Sequence, residues 1–314
     1  MAATHILITG ANGFVGQRLS ERLLHSGLPI QSLALLDIRF DSVPDDKRVL
    51  AITGSIADSA VVRSALASQP GVVVHMACIP GGAAEDNFDL GRQVNLDATL
   101  HLLEAMRDLP APPVFVYTSS VGVFGDPPAV VTDETPPSPR WSYGTHKAIG
   151  ELLVSDYTRK GWIDGRSVRL PGIVPRPAIR NGAITIFQSD LIRELAAGRP
   201  VVCPVSPAAT PWWMSVECCV DNLMIAATME ASRLKADRTY TLPVLRAAVS
   251  EIVDELVARF GDGILANLQY QPVAAMEAQF GRLPEVSVPA AEALGFRHDG
   301  TVRELVRRAL SNKE

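Results

Sequence analysis

The stretch Ile-Leu-Ile-Thr-Gly-Ala-Asn-Gly-Phe-Val-Gly, residues 6–16, constrains this chain more than any other, because three glycines at three-residue spacing separate an apolar run from an amphipathic one. The apolar run fits a strand covered on both faces, and the glycines fit a tight turn that opens a helix. The roles divide physically. Gly10 permits the turn, Gly13 lets backbone N–H groups approach a phosphate, and Gly16 lets helix pack on strand. The spacing is GxxGxxG rather than the commoner GxGxxG, and its place at the first strand-to-helix junction makes it a dinucleotide signature rather than a bare turn.

Downstream of the glycines the same alternation repeats. Strands are predicted at 5–9, 32–37, 49–53, 72–76, 114–118 and 166–170, and helices at 13–26, 59–68, 87–107 and 142–158. That spacing predicts an α/β fold: a Rossmann doubly wound parallel sheet with a smaller C-terminal substrate-binding lobe. The dinucleotide-binding domain is expected at 1–170 and the lobe at 171–314, where the sequence turns proline-rich and helices are predicted at 184–197, 249–260 and 302–310. A later strand near 238–242 is expected to return to the first sheet.

Composition narrows the partners. With 47% hydrophobic residues and a formal charge of -5 over 314 residues, the chain has no basic excess for nucleic acid or an anionic membrane. A small-molecule substrate is the expectation. No window is apolar enough to span a bilayer, and the N-terminus lacks a signal-peptide pattern, so a cytoplasmic location is expected. Cys78, Cys203, Cys218 and Cys219 lack metal-ligand spacing and read as reduced thiols, with no metal expected.

Asp37 closes the second predicted strand, about 20 residues past the glycines, where a carboxylate accepts ribose hydroxyls and repels a 2′-phosphate. NAD is therefore expected over NADP. Tyr143 and Lys147 stand four apart on a predicted helix, so both leave one face. An ammonium beside a phenol favours the phenolate and brings a weak base toward its working range. Ser120, at the C-terminal edge of the fifth strand, is expected to hold a substrate oxygen while Tyr143 takes its proton; Ser119 is the alternative. No G-x-S-x-G elbow surrounds Ser120, which argues against a serine nucleophile. His75 reads as a satisfied core histidine, His146 as turned away from Lys147, and Trp212 with Trp213 as packing or pocket wall.

Taken together, TGANGFVG, Asp37, HMAC, SSVGVFG, SYGTHK and RLPGIVPRP resemble the extended short-chain dehydrogenase/reductase family, over most of the chain. The resemblance implies Ser120, Tyr143 and Lys147 as catalytic residues. It implies cofactor contacts from Gly10, Asn12, Gly13, Phe14, Val15, Gly16 and Asp37, from Asn95 as a support, and from Ala77, Pro171 and Ile173 beside the nicotinamide. Ser55 and Ile56 stand at the adenine edge, where relatives often have Asp before the aliphatic residue. A homodimer joined through the helices predicted at 87–107 and 142–158 is implied as well.

The substrate class implied is a short sugar acid oxidised at its C2 hydroxyl, with Asn181 and Arg193 as candidate donors to its carboxylate. A nucleotide-sugar epimerase on the same scaffold is the alternative. A dehydratase fits less well, since Val121 and Gly122 follow Ser120 where an acid is needed to expel water. A non-catalytic dinucleotide sensor is disfavoured by the presence of both Tyr143 and Lys147.

Overall fold

The inner strands of a sheet covered on both faces run mostly apolar, and this chain assembles a seven-stranded parallel sheet. The computed structural model describes residues 4–178 and 185–311. Its first strands are β1 (Thr4–Thr9), β2 (Ile30–Asp37), β3 (Val49–Thr53), β4 (Val72–His75) and β5 (Val114–Ser120). Across the sheet the order is Thr239–Thr241, Asp164–Leu170, β5, β4, β1, β2, β3. The chain reverses its direction of travel between β1 and β4, and the C-terminal strand ends on either side of that switch point form the crevice in which such sheets bind ligands.

Helices α1 (Phe14–Leu24), α2 (Ser59–Leu66), α3 (Gly81–Asp86), α4 (Phe88–Arg92), α5 (Ala98–Met106) and α6 (Ser142–Arg159) lie in the connections. Leu7, Val73, Phe115, Leu102, Leu103 and Val154 are fully buried in a core where strands meet α2, α5 and α6. The single helix expected at 87–107 is broken. The Asn87 side chain accepts the Leu90 N–H and starts α4 anew, and a π turn at Gln93–Asp97 precedes α5. One extra residue per turn there puts Asn95 on the buried side, 2% exposed.

This sheet belongs to a compact unit made of residues 1–126, 136–169 and 220–241. The strand Thr239–Thr241 pairs in parallel with Ser167 to Arg169, so the chain returns to the first sheet late in the sequence. Buried Arg166 fastens that return by donating to the carbonyls of Ala226 and Met229 at 2.8 Å each. The second unit comprises 127–135, 170–219 and 242–314. Within it Gly172–Val174 pairs in parallel with Trp212–Ser215, which pairs antiparallel with Leu245–Arg246. Its core gathers Leu191, Ile192, Leu195, Trp213, Ile252, Leu256 and Leu305. Both tryptophans serve packing: Trp213 donates its indole N–H to Ala247 O at 3.1 Å and Trp212 to Pro284 O at 2.8 Å.

Candidate active site

The turn after β1 is built for an anionic ligand. Gly10 takes φ +72°, and a methyl on it would stand 2.7 Å from the Ala77 backbone N, so the turn packs directly on the loop after β4. A methyl on Gly16 would lie 2.4 Å from Gly10 O and 2.8 Å from Ala11 Cα, so this glycine admits the turn itself rather than the strand. Gly13 is the N-cap of α1 and no side chain caps that helix. Its first N–H groups and the positive end of its dipole therefore face the turn, as a diphosphate requires.

Asp37 closes the far side of this cradle. One carboxylate oxygen accepts the Asn12 N–H at 2.8 Å and the other the Ile38 N–H at 2.7 Å. Burial pushes its carboxyl up while these backbone bonds and Arg39 pull it down. Each oxygen keeps a lone pair for a ribose hydroxyl. Asn12 joins the turn to the next loop, donating to Asp41 at 3.2 Å, while Gln17 donates to Asn12 Oδ1 at 3.0 Å. Ser55 Oγ accepts the Ala57 N–H at 3.2 Å, and Ile56 is buried at the same turn. The uncapped helix, the glycine cradle and the strand-end carboxylate fit a dinucleotide.

A directed chain of hydrogen bonds runs under the loop after β4. The Thr99 hydroxyl donates to Asn95 O at 2.9 Å, so it accepts from His75 Nε2–H at 2.9 Å. His75 Nδ1 then accepts the Thr9 hydroxyl at 2.7 Å, and Thr9 Oγ accepts the Ala77 N–H at 3.3 Å. Burial pushes the His75 imidazole down to about 3, so it stays neutral and structural. The Asn95 side chain grips the backbone of Ile79 in both directions, at 2.7 Å and 3.0 Å. Ala77 and Asn95 are thus fixed by one network.

On β5 and α6 the candidate catalytic groups converge. A methyl on Gly122 would lie 3.3 Å from Ser120 Oγ and 3.6 Å from Tyr143 Cδ1, so hydroxyl and phenol ring border one small space. Ser120 Oγ accepts the Gly122 N–H at 3.0 Å, which leaves its own proton to donate. The ammonium of Lys147 is buried; it donates to Thr118 O at 2.6 Å and lies 4.8 Å from the Tyr117 ring centroid and 5.7 Å from that of Tyr143. Burial pushes this ammonium down from its ordinary range, while Cys78 and Glu151 oppose the shift. Glu85 of α3 accepts the Ser142 N–H at 2.9 Å at the start of α6.

Ser119 has a different occupation from its neighbour. Its hydroxyl donates to Glu151 at 2.5 Å, and Glu151 also receives two bonds from Arg169. Sequence reasoning missed Glu151 and Arg169. Their signal was present: Glu151 stands four residues past Lys147 and continues the Tyr143–Lys147 face. Pro171 and Ile173 belong to the second unit, as does Arg193. Arg193 pairs with Asp190 and with Glu194 and donates to Arg176 O at 2.5 Å. Asp190 and Glu194 engage it, the latter shared with Arg199, and it holds a backbone carbonyl rather than standing as the bare cation expected for a substrate carboxylate. Asn181 lies outside the described residues.

The NAD dependent epimerase/dehydratase family matches residues 6–231 of this chain. D-erythronate dehydrogenase of Cupriavidus necator is 39% identical over 96% of this chain and 97% of its own length. D-erythronate dehydrogenase of Haemophilus influenzae is 32% identical over 96% of this chain and 98% of its own. Among solved structures, a nucleoside-diphosphate-sugar epimerase from Agrobacterium tumefaciens superimposes with a TM-score of 0.92 at 32% identity, covering 99% of this chain and 94% of that one.

Proposed function

Because the chain belongs to the NAD dependent epimerase/dehydratase family and is an NAD-dependent dehydrogenase acting on CH–OH groups, we propose that its reaction is oxidation of the C2 hydroxyl of D-erythronate to the 2-oxo acid. One observation carries the choice of substrate. The likeness to two D-erythronate dehydrogenases runs over 96% of this chain, so it includes the second unit and not the dinucleotide half alone.

In this mechanism NAD, when bound along the turn after β1 and Asp37, supplies the hydride acceptor. The chain's own residues manage the proton and the geometry. Ser120 donates a hydrogen bond to the substrate oxygen and keeps its proton, a task open to it because its oxygen is already oriented by Gly122 N–H. Tyr143, as phenolate, takes the proton from the C2 hydroxyl as that carbon loses hydride. Lys147 holds its charge at a fixed place through Thr118 O and the Tyr117 ring, where it favours the phenolate. A homodimer joined through the helices of 87–107, α4 and α5, and through α6 belongs to the same reading.

The experiment mixes purified protein, NAD and D-erythronate and follows NADH. Stoichiometric NADH is expected, and Tyr143→Phe is expected to lower kcat by about 10²–10⁴-fold. The likeness to the Agrobacterium tumefaciens epimerase favours a second reading, in which hydride returns to a nucleotide sugar. Conversion of such a sugar with no accumulating NADH, and no turnover of D-erythronate, replaces the first reading with the second.

A further inference from the structure

α6 carries Tyr143, Lys147 and Glu151 at four-residue intervals, so one helix face presents all three over two turns. The proposed mechanism uses the first two. Glu151 is 5% exposed, and Arg169 and Ser119 are buried around it. Its Oε1 accepts the Ser119 hydroxyl at 2.5 Å and Arg169 Nε–H at 2.8 Å; its Oε2 accepts Arg169 Nη2–H at 2.7 Å. The Arg169 guanidinium carbon also lies 5.0 Å from the Phe124 ring centroid. Ser119 stands between Thr118, whose carbonyl holds the Lys147 ammonium, and Ser120. A buried ion pair adds little net stability, and apolar residues of similar volume often serve as well. Its place here needs another reason.

We propose that Glu151 is a positioning residue: it pins the end of β5 to α6 so that Ser120 and Tyr143 face one substrate oxygen, and it cancels Arg169 so that no second buried cation acts on the phenol beside Lys147. The inference rests on the roles of Ser120, Tyr143 and Lys147 argued above. Other titratable groups near Tyr143 and Lys147 are His75 on β4, Cys78 in the loop after it, Tyr117 on β5, Glu85 on α3 at the start of α6, and His146 on α6 itself. His75 and Tyr117 are held neutral by burial. Glu151 with Arg169 is therefore the charge-balancing pair on the Tyr143–Lys147 face.

Glu151→Gln keeps the shape and leaves Arg169 uncompensated beside a helix position about 12 Å along α6 from Tyr143. At an effective dielectric of about 20, such a charge moves a phenol by about one pH unit. The pH at which kcat/KM rises is expected to fall by about that amount in Glu151→Gln and to rise by a similar amount in Arg169→Met, where the carboxylate is left uncompensated. Tyrosinate ultraviolet absorbance, taken as the difference from Tyr143→Phe, reads the same opposite shifts without substrate. A clamp with no electrostatic role lowers turnover or stability in both variants but does not move the midpoint in opposite directions. Native midpoints in both variants overturn the proposal. Should neither variant fold, Ser119→Ala decides. Loss of that one hydroxyl is expected to lower kcat at least about fivefold with the KM for NAD unchanged, and a kcat within about twofold of native overturns the pinning. Full turnover by Tyr143→Phe instead overturns the catalytic reading, so the two failures are separable.

Discussion

His75 shows how a buried titratable side chain acts when chemistry is not its task. Its two ring nitrogens are used in opposite senses, Nδ1 accepting from Thr9 and Nε2–H donating to Thr99, and only the neutral imidazole satisfies both. Because its folded value is depressed to about 3, the unfolded chain takes up a proton that the native chain refuses as the pH falls below about 6.5. Stability from this group is thus complete at neutral pH and is lost on acidification. Between pH 7 and pH 5 it contributes a loss of about 2 kcal/mol. Urea unfolding at the two pH values is expected to give a difference smaller by about that amount in His75→Gln; an unchanged difference would show that the ring is not held neutral.

At the scale of elements, the distance between α6 and the turn after β5 sets the active site. Gly144 follows Tyr143 in the first turn of α6, and a methyl there would stand 2.3 Å from Gly122 O and 3.0 Å from Pro139 Cβ. In a helix interior Gly costs about 1 kcal/mol relative to Ala, so close approach is the reason to keep it. Backbone cannot rotate out of the way as a side chain can. Gly144→Ala is expected to push the start of α6 off the Ser120 turn, lowering kcat/KM tenfold or more and stability by about 1–3 kcal/mol. Activity and denaturant melts measure the two effects, and native kcat/KM in this variant would mean that the helix start is not what sets the geometry.

At the scale of the whole molecule, α4 and α6 each expose a large apolar side chain. Phe88 is 55% exposed and Leu152 70%, and the Phe88 ring lies 6.2 Å from His146. Large apolar side chains left exposed on neighbouring helices are the kind of surface that association covers. In the homodimer proposed above, a self-complementary two-fold contact through this face would bury both residues in each copy. Sedimentation is expected to give a dimer, and Leu152→Glu, which places a charge on this face, a monomer that keeps its far-ultraviolet circular dichroism. A wild-type monomer at micromolar concentration would refute the contact. Among the described residues, no helix is long and apolar enough to cross a membrane.

Local signals in the residues alone carried a long way. The glycine turn, the apolar strands and the i, i+4 pair on α6 are all encoded within about a dozen residues, because backbone conformation and helix periodicity act over that range. Strand 49–53 and helices 249–260 and 302–310 begin and end where the spacing places them. Other features were decided only by residues distant in sequence coming together. The π turn that turns Asn95 inward, the engagement of Ser119 by Glu151, and the pairing of Arg193 with Asp190 and Glu194 each depend on partners that periodicity does not identify. So does the Glu151–Arg169 pair, which joins positions 18 residues apart on a helix and a strand. Sequence determined which groups the chain carries and on which elements; packing determined which of them are spent on one another, since a hydrogen bond or ion pair exists only at a few ångströms and no local pattern measures that distance.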